Sequence, residues 1–111
     1  MQLHSSETAD GLIVHVDETR IDAACAIDFK EAMRKVTAQP TAKVILDLSK
    51  VGFIDSSGLG AVVAVRKMLG PDRALELACL SPSVEKVFRL TRMDRIFAIH
   101  ETVPVSHQRA M

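Results

Sequence analysis

With 111 residues, 48% of them apolar, the chain is long enough for one domain with a real core and too short for two. Its 14 basic side chains are matched by 14 acidic ones, which removes the electrostatic argument for a nucleic-acid or anionic-membrane partner. No apolar run approaches the roughly 20 residues of a membrane span, and MQLHSSETAD lacks the basic and apolar regions of a secretory leader, so a cytoplasmic protein with no direct membrane insertion is expected.

Leu12, Val14 and Val16 alternate with Ile13 and His15, which predicts a strand. From Asp22 the period changes. Ala26, Phe29, Met33 and Val36 fall on one helical face, with Asp22 as the expected N-cap and Pro40 beyond the end. Val44-Ile45-Leu46-Asp47-Leu48 reads as a buried strand, and a helix from about Ser57 to Leu69 is closed by Gly70-Pro71. Ala74 to Leu80 is again a strand. Ser81-Pro82 supplies an N-cap with proline at the first helical position, and Val84, Val87 and Phe88 make a buried face.

Arg92 to Arg95 reads as a turn, Ile96 to Ile99 as a last edge strand, and residues 104–111 as a loose tail. Strands and helices alternate after residue 11, so the expected class is α/β with some parallel pairing and a core over about residues 10–100. Cys25 and Cys79 lie far apart in apolar surroundings and read as buried thiols. Lys86, Arg89, Arg92 and Arg95 form a basic row that reads as a solvated face.

The stretch FIDSSGLGAVVAV, residues 53–65, asks for more than a fold. Gly58-Leu59-Gly60 begins like a dinucleotide fingerprint, but its third glycine position is Val63. A phosphate loop needs G-K-[ST], and a nucleophile elbow needs a glycine two before its serine; neither is here. His4, His15, His100 and His107 show no metal-ligand spacing, so no metal, cofactor or enzyme chemistry is expected.

Asp55, Ser56 and Ser57 suit a helix N-terminus, where a side-chain oxygen accepts a free N–H for roughly 1 kcal/mol. One such residue is enough for a cap, and here there are three. The helix behind them is apolar nearly all round: Leu59, Val62, Val63 and Leu69 form one stripe and Ala61, Val65 and Met68 another. Such a helix is either buried on several sides or carries a docking face. A phosphate on one hydroxyl would bring about −1.5 to −2 charges to that face, beside Asp55.

At these residues the sequence resembles the STAS family, specifically the anti-sigma factor antagonists of bacterial partner switches. The resemblance runs from about residue 10 to 100. It rests on Val44 to Leu48, on the D-S-S-G-L-G string of Asp55 to Gly60, on Leu80 to Val84, and on the ending Leu90-Thr91-Arg92-Met93-Asp94-Arg95-Ile96-Phe97. It implies one STAS-type domain over residues 1–111, with a mixed β-sheet packed against several α-helices.

The resemblance also implies a binding protein rather than an enzyme. Its partner would be a serine kinase of histidine-kinase-like ATPase fold that doubles as an anti-sigma factor. That kinase modifies the hydroxyl after the motif aspartate, here Ser56, with Ser57 as second choice, and a PP2C-type phosphatase reverses the step. Asp55 would orient the acceptor, Gly58 would let backbone approach closely, and Asp22, Ser57 and Leu59 would complete the partner-binding set. One departure is visible. Many members have a G-x-x-D or G-x-[ILV]-D pattern before the first helix, whereas this chain reads Glu18-Thr19-Arg20-Ile21-Asp22. Lone STAS domains also serve as accessory subunits of membrane lipid-transport complexes, the alternative reading.

Overall fold

Alternation along Leu12–Val16 builds the strand it predicts, β2, with Leu12, Val14 and Val16 buried on one face. In the computed structural model, which describes residues 1–9 and 11–104, a strand precedes it: β1, Leu3–Glu7. The chain continues through β3 (Arg20–Ile21), α1 (Ala26–Val36), β4 (Lys43–Asp47), β5 (Phe53–Ile54), α2 (Ser56–Leu69), β6 (Ala74–Ala78), α3 (Pro82–Leu90) and β7 (Ile99–His100). Five strands form one sheet in the order β1-β2-β4-β6-β7. β1 runs antiparallel to β2, and the remaining pairs are parallel. The sheet is therefore mixed, as the α/β expectation required. β3 and β5 form a separate parallel ladder, with Arg20 opposite Phe53 and Ile21 opposite Ile54.

One face of the large sheet packs on the helices. Val14, Val44, Leu46 and Leu77 meet Phe29 and Met33 of α1, Val62 and Val65 of α2, and Val84 and Phe88 of α3, all buried. Phe88 also meets Phe97 edge-on, with centroids 5.8 Å apart. On the opposite face Ile13, Ile45 and Ala78 form a smaller apolar strip, against which Cys79 and Val103 pack.

Ser81 caps α3 as predicted: its hydroxyl accepts the Val84 N–H at 3.4 Å, and Pro82 takes the first helical position. Several expectations shift. α1 starts at Ala26, and Asp22 does not cap it; the N-cap is Cys25, which makes no side-chain cap bond. The Asp22 carboxylate accepts instead from the Ala24 N–H at 3.1 Å, and that local turn diverts the chain from the helical path. The predicted strand Val44–Leu48 is displaced by one residue, although Leu48 stays buried.

β6 stops at Ala78, short of Leu80, because Cys79 turns to φ 63°. The last strand is Ile99–His100 rather than Ile96–Ile99; a short 3-10 turn, Met93–Arg95, and the bend after it take up the residues between. Both thiols are half-buried rather than buried. The predicted tail lies outside the described residues, except for its first residue, Pro104.

Asp47 is the one buried carboxylate of β4. Burial pushes its pKa up, but the Ser49 amide at 2.9 Å and the His15 ring at 2.7 Å outweigh it and hold the group below the ordinary carboxylate range. A depressed folded pKa contributes stability that is present above the unfolded value, about 4, and is lost as pH falls through the folded value. Denaturant midpoints should therefore fall below about pH 4. Asp47→Asn should be less stable than wild type at pH 7 and show a shallower acid decline. Parallel declines in the two proteins would contradict this assignment.

Candidate functional site

The β3–β5 ladder leads directly into the junction before α2. Asp55 follows β5 in extended conformation (φ −104°, ψ −175°) and is the N-cap of α2. Its Oδ1 accepts the Gly58 N–H at 2.8 Å, and its Oδ2 accepts the Ala23 N–H at 3.1 Å from the turn after β3. The Asp55 N–H in turn donates to the Ile21 carbonyl at 3.4 Å. One aspartate thus caps a helix and pins two loops together. Hydrogen bonds from the Gly58 amide first, and from Ala23 next, hold its carboxyl below the usual range although partial desolvation pushes the other way.

Gly58 is required by space. A Cβ there would stand 2.0 Å from the Ile21 carbonyl oxygen, closer than atoms can approach. The chain's own β3 makes a close approach at Gly58, which is buried.

Ser56 and Ser57 are the first two residues of α2, and both are exposed. Neither hydroxyl bonds to any described residue, because Asp55 already does the capping. Asp22, Asp55, Ser56, Ser57 and Gly58 are brought together at this junction. Leu59 follows on the half-buried flank, packed against the core. The open docking face considered for α2 is mostly absent: Ala61, Val62, Val65 and Leu69 are buried, and Met68, 41% exposed, stands at the far end.

Two residues of the junction escaped the sequence reading. Phe53 is 45% exposed, and the Arg20 guanidinium lies over its ring at 5.1 Å from the centroid. Arg20 Nε is also 3.5 Å from Asp22 Oδ2. A ladder two residues long has no period to read, so nothing in the sequence placed Arg20 opposite Phe53. His4, His15 and His100 sit apart from this site, each against a carboxylate: Asp17, Asp47 and Glu76.

The chain matches the STAS domain family over residues 2–105. It belongs to that family. A STAS-domain containing protein of Pseudomonas aeruginosa is 29% identical over 101 residues, covering 89% of this chain and 99% of the relative. The crystal structure of a candidate anti-sigma factor antagonist from Thermotoga maritima superposes with TM-score 0.77 at 27% identity, covering 91% of this chain and 87% of that one. Sulfate transporter 3.1 of Arabidopsis thaliana is 33% identical over 102 residues, which is 82% of this chain but 15% of the transporter. STAS domains therefore occur both as small proteins and as parts of large ones. Among the described residues of this STAS chain, no helix is long and apolar enough to cross a membrane.

Proposed function

We propose that this STAS protein is an anti-sigma factor antagonist that works as a phosphorylation switch. Unphosphorylated, it binds a serine kinase that doubles as an anti-sigma factor; phosphorylated on Ser56, it releases that kinase, and a PP2C-type phosphatase resets it. The observation that carries the reading is the division of labour at the start of α2. Asp55 satisfies the helix end, which leaves two exposed serine hydroxyls with no structural duty. The resemblance of the D-S-S-G-L-G string selects Ser56, the residue after the aspartate, and the similarity to the Thermotoga protein supports the regulatory class.

The chemistry asked of this chain is that of an acceptor. The Ser56 Oγ attacks the γ-phosphorus of a nucleoside triphosphate held by the partner. The bond to the leaving diphosphate breaks, and the hydroxyl proton passes to a base on the partner. In the phosphatase step, water hydrolyses the ester to serine and inorganic phosphate. The product carries about −1.5 to −2 charges at the first turn of α2, where the helix dipole favours an anion. The fold is retained while the surface that meets the partner, already carrying the Asp22 and Asp55 carboxylates, becomes more negative. Asp22, Asp55, Ser57 and Leu59 would form the surroundings that the partner reads.

Affinity capture from the native cell tests this, with Ser56→Ala and Ser56→Asp proteins as baits. A kinase of histidine-kinase-like ATPase fold is expected on the alanine bait and strongly depleted on the aspartate bait. Its absence from both, or equal recovery on both, would remove the reading.

A further inference from the structure

Arg20 and Phe53 are held together by contacts that are easily exchanged. The guanidinium over the ring is an exposed cation–π contact, and such contacts are weak in water. Its link to Asp22 is a single contact at 3.5 Å from Nε, not a forked pair. Nothing else described holds the guanidinium. A phosphomonoester offers two or three charged oxygens matched to the arginine fork, a stronger partner than either present one.

The backbone keeps Ser56 within the same junction. Arg20 pairs in register with Phe53, so their Cα atoms are about 4.8 Å apart. Ser56 lies three residues beyond Phe53, at most about 10 Å along an extended chain. It cannot swing away, because Asp55 is tied to the Ile21 carbonyl and to the Ala23 amide, both just past Arg20. Arg20 is the only cation on the β3–β5 ladder.

We propose that Arg20 answers phosphorylation from within the chain: its guanidinium leaves the Phe53 ring and forks onto a phosphate carried by Ser56. This rests on the reading of Ser56 as the acceptor. Phe53 is the one aromatic among the large exposed apolar side chains described, and it would lose its cover at the same moment. A partner would then meet a different shape as well as a different charge.

Phosphoserine built into position 56 during synthesis, with no kinase involved, gives the direct test. The phosphate is titrated by phosphorus NMR in the otherwise wild-type protein and in the Arg20→Gln and Arg20→Lys proteins. The Asp22 and Asp55 carboxylates are present in all three and oppose ionisation of the phosphate in each. With Arg20 present, the second phosphate pKa should lie about half a unit or more below its value in Arg20→Gln, with lysine restoring part of the shift. Coincident titrations in proteins of equal melting temperature would overturn the proposal. Should Arg20→Gln not fold, contacts between Arg20 and the Phe53 ring are followed by proton NMR in the wild-type background. Their loss on phosphorylation is expected, and their persistence overturns the proposal. Coincident titrations would leave the switch reading intact, whereas failure of any kinase to modify Ser56 would remove that reading and leave this result standing.

Discussion

Gly58→Ala is expected to destabilise the protein by about 2–4 kcal/mol, a large share of the roughly 5–15 kcal/mol that holds a domain together. In most helices this substitution stabilises, since alanine is the better helix former by up to about 1 kcal/mol. Here a Cβ would lie 2.0 Å from the Ile21 oxygen, 2.7 Å from its carbon and 3.0 Å from Ile54 Cγ1. The first two are backbone atoms. Moving them breaks the Asp55-to-Ile21 hydrogen bond and the two-residue ladder that carries the serine loop. Gly60, two residues on in the same helix, has nothing within 4 Å of its own added Cβ. Gly60→Ala should therefore be neutral or stabilising by up to about 1 kcal/mol. Thermal melting of the pair checks both, with Gly58→Ala lower by on the order of 10 °C. A Gly58→Ala protein that melts with wild type would contradict the packing described here.

The second large effect concerns binding. Ser56→Asp should weaken the complex with the cognate kinase about a hundredfold, which is about 2.8 kcal/mol at 1.4 kcal/mol per tenfold. Ser56→Ala should bind like wild type and resist modification. The cause is an added charge brought into a desolvated contact, beside carboxylates at Asp22 and Asp55 that oppose it. Arg20 is the one cation on the ladder, and an aspartate presents it with less charge than phosphoserine does. Aspartate should therefore reproduce the direction of the switch and only part of its size. Calorimetric titration of each variant against the purified kinase measures this. Equal affinities of the alanine, aspartate and phosphoserine proteins would remove the electrostatic switch.

The parts of the fold that were legible in the sequence are those in which one local signal was strong and unopposed. Ser81-Pro82 announces a helix start because both residues favour the same geometry, and Phe29 and Met33 report the buried face of α1 because no other period competes. β1 gave no such signal. It is an edge strand, and of Leu3, Ser5 and Glu7, whose partners across the strand are the core residues Val16, Val14 and Leu12, only Leu3 is apolar and packed. Asp22 was misplaced for a different reason. An aspartate before an amphipathic stretch serves equally well as a cap or as the acceptor of its own short turn, and only the tertiary contacts around Arg20 and Cys25 decide between them.

The same contrast holds within the candidate site. Asp55, Ser56 and Ser57 were visible as three polar residues at a strand-to-helix junction, but their division into one cap and two spare hydroxyls needed coordinates. The role of Gly58 was visible as glycine and not as a contact, because the carbonyl that excludes a side chain comes from Ile21, 37 positions earlier. α2 showed the limit of composition. Its nearly continuous apolar surface suggested a docking face, and the structure buries most of it between the sheet and α1.

The most direct measurement is the site of phosphate transfer. The purified protein is incubated with its captured kinase and magnesium ATP, digested, and mapped by mass spectrometry, with Ser56→Ala and Ser57→Ala proteins alongside. Phosphate on Ser56, lost in Ser56→Ala and retained in Ser57→Ala, is the expected result. Phosphate on Ser57 alone, or on neither serine, contradicts the switch at its centre.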